Sequence, residues 1–190
     1  MIRLTDPRLD VELLTRYRFD RERFLGEAAA AARGEATADA ALVRGRIEPA
    51  REVLAVDHGS RAAAAARALG ERALARGEIA VVVLNGGMAT RFGGVVKGTV
   101  EVDSGWSFLG LKARDVARVG ACYGRNPPLV LMNSFATDAA TTAHLARHGR
   151  WGLAPQDVLT FCQSISIRLT PSGDLFVDGQ GRPSYYAPGH

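Results

Sequence analysis

"VVVLNGGMATRFGGVVKGTVEV", Val81 to Val102, decides how the rest of the chain is read. Val81, Val82, Val83 and Leu84 form an apolar run without polar alternation, the pattern of a strand buried on both faces of a parallel sheet. Asn85 and Gly86-Gly87 follow, then a second pair, Gly93-Gly94. Glycine lets the main chain turn sharply and approach a ligand with no Cβ in the way. Thr90, Arg91 and Lys97 put polar and cationic groups around that turn, an arrangement suited to a polyphosphate. It is neither of two common phosphate loops. A P-loop has its lysine directly after the last glycine, whereas two valines separate Gly94 from Lys97. A dinucleotide fingerprint needs G-x-G-x-x-G opening a helix, and Gly86-Gly87-Met88-Ala89 does not fit it.

Outward from this stretch, strands and helices alternate. Strands are predicted at 79–84, 98–102, 128–133 and 158–162, and helices at 107–122, capped by Ser107, and 137–148, capped by Thr137 or Asp138. Leu109, Lys112, Val116 and Val119 share one helical face. The order predicts a parallel or mixed α/β sheet with right-handed crossovers. Ligands of such sheets collect at the carboxyl ends of the strands. Asn85, Asn133-Ser134 and Gln163-Ser164 all fall there, so three polar strand ends are expected to face one crevice. The tail "SIRLTPSGDLFVDGQGRPSYY", 166–186, has short alternating runs and turn signals, and predicts a β-hairpin at the sheet's edge.

Residues 1–77 contain no strand pattern. "ELLTRYRFDRERFLGEAAAAARG" (12–34) and "GSRAAAAARALGERALARG" (59–77) are alanine-rich helical stretches, the second with Ser60 as N-cap and Gly77 as stop. A third helix is expected within 37–56, broken near Pro49. The division is thus a helical region over 1–77, taken as a packing appendage, and an α/β unit over 78–190.

Composition narrows the class. The 190 residues are 47% apolar and 23% charged, as in an ordinary soluble globular protein. No apolar run approaches the roughly 20 residues of a membrane span. The start, "MIRLTDPRLD", is no secretory signal. The net charge of +4 is spread evenly, so no basic arm marks a nucleic-acid partner. Cys122 and Cys162 lack C-x-x-C spacing and the four histidines are scattered, so no metal site is legible. Two isolated thiols suit a reducing cytoplasm. Lys97 and Lys112 are the only lysines among 24 basic residues, so each invites a specific explanation.

The loop L-N-G-G-M-A-T-R-F-G, with its lysine and "GTVEV", resembles the signature loop of the UDP-glucose pyrophosphorylase family. "PLVLMNSFATD" (128–138) is similar to that family's "LLMNSFNT", "FCQS" (161–164) to its F-x-Q-S, and "YYAPGH" (185–190) to the start of its P-G-H-G-D motif. Ala89 stands for the commoner glycine, and Val96 for the proline that usually precedes the lysine. The resemblance implies a Rossmann-like nucleotidyltransferase sheet, and formation of UDP-sugar and pyrophosphate from UTP and a sugar 1-phosphate with Mg²⁺. It implies that Leu84, Asn85, Gly86, Gly87, Met132, Gln163 and Gly189 bind the nucleotide. Arg91 then holds the β/γ-phosphates, Lys97 sits between UTP and the incoming phosphate, and His190 meets the sugar phosphate. The family continues past such an ending into its metal-binding aspartate and sugar pocket. The sheet is therefore expected to be incomplete, inactive alone and prone to self-association through an apolar edge. Glucose 1-phosphate is the expected sugar. A UDP-N-acetylglucosamine or broad UDP-sugar pyrophosphorylase and a non-catalytic nucleotide-binding scaffold are the alternatives.

Overall fold

The computed structural model describes residues 6–35, 45–51, 56–87 and 94–188. Arg91, Gly189 and His190 lie outside them, as does most of the third helix expected in the N-terminal region; the described part of that span, 45–51, is not helical.

The helices begin where short polar side chains cap them. Asp10 accepts from Leu13 N at the start of α1 (Val11–Arg16), and Asp20 from Arg23 N at the start of α2 (Arg21–Ala32). One continuous alanine-rich stretch was expected here. The chain instead breaks between the two helices, with Arg18 at φ 54°. Ser60 caps α3 (Arg61–Arg76), which Gly77 ends in the left-handed conformation, both as expected.

The central sheet is parallel and ordered β1-β4-β5, from β1 (Val81–Leu84), β4 (Leu129–Asn133) and β5 (Val158–Cys162). Leu84 pairs with Met132, and Met132 with Phe161, so the strand ends are level. Between β1 and β4 run a 3₁₀ turn at Lys97–Thr99, the short antiparallel pair β2 (Glu101–Asp103) and β3 (Trp106–Ser107), and α4 (Phe108–Tyr123). The expected strand at 98–102 is thus a turn followed by a shorter strand. Ser107 caps α4 by accepting from Gly110 N. α5 (Asp138–Arg147) links β4 to β5, but neither Thr137 nor Asp138 caps it through its side chain. Thr137 Oγ1 accepts from Ser134 N, and Asp138 Oδ1 from Asn133 Nδ2.

Alternation gives the sheet two unlike faces. One packs under α4 and α5, where Leu109, Ala113, Val116, Leu129, Leu131, Leu145 and Val158 form the core. The buried face of α4 is Leu109, Gly110, Ala113, Val116 and Gly120; Lys112, expected on that face, is exposed. The other sheet face carries Val82, Leu84, Leu159 and Phe161, each about half exposed among the described residues.

The first two N-terminal helices pack on the chain's other end. Leu9, Leu14, Tyr17 and Phe24 form a second core with Ile165 and Ile167 from the chain's other end. Ile165 N donates to Tyr17 O, and Tyr185 Oη accepts from Asp10 N. The tail is a hairpin-like unit, β6 (Ser166–Ile167) with β7 (Tyr185–Tyr186), braced by bridges Leu169–Leu175 and Val177–Pro183. It forms its own sheet against α1 and α2 and does not extend the central one. α3, by contrast, buries no residue.

Candidate functional site at the strand ends

The sequence places Asn85, Asn133 and Gln163 one residue beyond, or at the end of, three adjacent strands, and level register brings them together. Gln163 N donates to Asn133 O at 3.0 Å, and Asn85 N to Met132 O at 2.9 Å, so the sheet ladder continues through the polar residues. The three polar strand ends thus lie side by side, as expected.

Gly86 is buried, and its missing side chain is the reason Gln163 can lie where it does. A Cβ at position 86 would collide with Gln163 Nε2 and sit 3.2 Å from its Cδ and 3.3 Å from Asn133 C. The carboxamide of Gln163 therefore rests directly on the glycine backbone. Leu84 is half exposed just before this point, and Gly87 is exposed just after it. Met132 lies in register between Leu84 and Phe161 but is only 7% exposed, a core side chain near the strand ends.

Asn85 behaves differently from its neighbours. It is buried, and its side-chain amide donates to Asn133 Oδ1 at 2.9 Å and to Thr141 Oγ1 at 2.8 Å. Asn133 and Thr141 are wholly buried, and Asn133 Nδ2 donates on to Asp138 at 3.1 Å. A buried amide left without partners costs about 1–3 kcal/mol; among the described residues no buried side-chain polar atom is left so. The Asn85 side chain is thus spent inside the fold.

The turn that carries Lys97 packs against the end of β1. Lys97 is exposed on this 3₁₀ turn, whose next residue, Gly98, is buried against Asn85. A Cβ on Gly98 would collide with Asn85 Oδ1 and lie 2.9 Å from Leu109 Cγ. Val96, standing where the resembling family has proline, is buried with φ −67°, the angle a proline ring imposes. The lysine turn therefore keeps its form without the ring.

The Asn85–Asn133–Thr141 network was only partly legible. Asn133 lies in the M-N-S-F motif, whereas the only signal of Thr141 is its place a single turn after Asp138 on the helix leaving β4. Asp138 also borders Tyr17 and Cys162. Burial, reinforced by this carboxylate, raises the Tyr17 phenol and pushes the Cys162 thiol up to about 11, so the thiol stays protonated.

Among the described residues, no three His, Cys, Asp or Glu side chains converge as a metal site. Asp138 is engaged by Asn133, and Asp174 and Asp178 lie in the tail unit, where Asp178 binds Arg182. These residues do not fit a magnesium ligand set. A separate concavity of about 500 Å³ opens between the β2–β3 hairpin and α5, with Ser107 and His144 on its floor. His144 Nε2 and Ser107 Oγ are 2.8 Å apart. Burial, then His148 and Arg147, lowers the His144 pKa, so the ring is held neutral.

Comparison with known proteins fits this geometry. The family described as UTP–glucose-1-phosphate uridylyltransferase matches residues 34–190. The UTP–glucose-1-phosphate uridylyltransferase of Saccharomyces cerevisiae is 42% identical over 117 residues, covering 60% of this chain and 23% of the relative. That of Solanum tuberosum is 33% identical over the same length, covering 60% and 24%. The chain is similar in structure to the uridine diphosphate N-acetylglucosamine pyrophosphorylase of Trypanosoma brucei, solved with an inhibitor. The TM-score is 0.54 at 25% identity, over 66% of this chain and 28% of that one. The aligned part thus spans about a quarter of the length of the relatives it matches. The strand-end motifs and the extent of the family match together show that the chain belongs to the UTP–glucose-1-phosphate uridylyltransferase family.

Proposed function

We propose that the chain carries the nucleotide side of a uridylyl-transfer site, acting in UTP + glucose 1-phosphate ⇌ UDP-glucose + pyrophosphate. The observation that carries this reading is the Gln163 carboxamide seated on the Gly86 backbone at the carboxyl end of a parallel sheet. A carboxamide offers an acceptor and donors on one edge, the complement of the uracil imide. The exposed main chain at Gly87 allows phosphates to approach. In the transfer, an oxygen of the sugar phosphate attacks the α-phosphorus of UTP, and pyrophosphate leaves with the electrons of the broken P–O bond. Such a step rests on positioning and charge neutralisation. Lys97, a compact cation on a turn fixed against Asn85, suits the crowded space between the two phosphates. By the same resemblance Arg91 holds the β- and γ-phosphates, and Gly189 and His190 border the base and sugar phosphate. Mg²⁺ would neutralise phosphate charge, with ligands from outside the described residues.

Calorimetric titration of the chain with UTP and with ATP tests the reading. UTP is expected to bind at least about tenfold more tightly, roughly 1.4 kcal/mol; equal binding would overturn the uridine assignment. The likeness to an N-acetylglucosamine pyrophosphorylase keeps the amino sugar as the second reading. Stronger competition by UDP-N-acetylglucosamine than by UDP-glucose would favour it.

A further inference from the structure

We propose that Thr141, with Asn133, is a positioning residue for Lys97, acting through the Asn85 amide. The chain of contacts is short and buried. Thr141 Oγ1 and Asn133 Oδ1 each accept one hydrogen of Asn85 Nδ2, at 2.8 and 2.9 Å. Two acceptors fix the plane of that amide, because both its N–H bonds are committed. The oxygen end of the amide then lies against Gly98, where only a hydrogen fits, with Leu109 closing the other side. Gly98 is thereby held between the Asn85 carboxamide and α4, and Lys97 is its immediate neighbour on the 3₁₀ turn. The turn also packs on α5, the helix that carries Thr141. A rotation of the Asn85 amide would therefore move the Lys97 turn.

The consequence for nucleotide binding rests on the uridylyl-transfer reading, but the placement of Lys97 does not. Since Lys97 and Lys112 are the only lysines, reductive methylation with ¹³C gives two lysine signals by NMR, with exposed Lys112 as an internal reference. Thr141→Val keeps the side-chain shape and removes the acceptor; Thr141→Ser keeps the acceptor. The valine variant is expected to shift the Lys97 signal, leave that of Lys112 in place and weaken UTP binding about five- to tenfold. The serine variant is expected to hold the Lys97 signal and keep UTP affinity within about twofold. Gly98→Ala attacks the same contact from the lysine side and is expected to move the same signal.

A folded Thr141→Val chain whose Lys97 signal stays put, or moves no more than that of Lys112, would overturn the proposal. So would a serine variant that fails to restore the signal. A wild-type chain that does not bind UTP, yet whose Lys97 signal responds to Thr141→Val, keeps the brace and sinks the uridylyl reading. UTP binding that is unaffected by Thr141→Val, with a fixed Lys97 signal, does the reverse.

Discussion

The two faces of the central sheet are built from the same residue types and do opposite things. Leu131, Leu129 and Val158 lie under α4 and α5, and the polar groups on that side, Asn85 and Asn133, are paired among themselves. Val82, Leu84, Leu159 and Phe161 stand half exposed, and at the carboxyl end of their row lie Gly86 and Gln163. Parallel sheets are ordinarily covered on both faces. The covered face holds the strand ends level, and the open face is where a ligand and further cover have room. One face is thus committed to the core, and the other is left half exposed.

Substitutions can break that division. The largest effect is expected from the covered face: Leu131→Ala, at a wholly buried position, lowers unfolding free energy by about 2–5 kcal/mol in denaturant titration. A loss below 1 kcal/mol would mean that the α4–α5 layer is not the main core. A pH effect of the same layer comes next. His144 is buried and its pKa lies below 6.5 in the fold, so the unfolded chain binds the proton more readily. The stability from keeping this ring neutral is present above pH 6.5 and is lost as pH falls through the folded value. Thermal melts across that range are expected to show the loss in the native chain and less of it in His144→Asn. A native chain more stable at pH 5 than at pH 7 would contradict the assignment. The smallest effect on stability is expected on the open face, where Leu159→Ser changes it by about 0.5 kcal/mol or less. The same change is expected to reduce self-association in sedimentation velocity, because it interrupts the exposed apolar row.

The α/β alternation, the three parallel strands and the caps at Ser60 and Ser107 were legible because each is a local pattern. The alignment of the strand ends was legible because level register follows from three similar strands. Other features depend on distant partners. Both alanine-rich stretches looked alike, but Leu14 and Phe24 find Ile165 and Ile167 from the far end, whereas α3 meets α4 and fully buries none of its residues. The strand expected from Gly98 becomes a turn because Asn85 and Leu109 close in on that glycine. On α4, the spacing of Leu109, Lys112, Val116 and Val119 was helical, but small Ala113 and Gly120 set the packed face, letting the helix approach its neighbours. The structural task of the Asn85 side chain was not legible for the same reason: its partners Thr141 and Asn133 are distant in sequence.

On the uridylyl-transfer reading, the uracil of UTP sits over Gly86 and Gln163, on the open side of the strand ends. Amide chemical-shift mapping of the chain during a UTP titration tests it most directly, with ATP as the control. The largest shifts are expected on the amides of Leu84, Gly86, Gly87 and Gln163 and on the Gln163 side-chain NH₂, with little change at His144 and Arg147. Shifts centred instead on the hairpin–α5 concavity, or shifts of equal size and place with ATP, would contradict it.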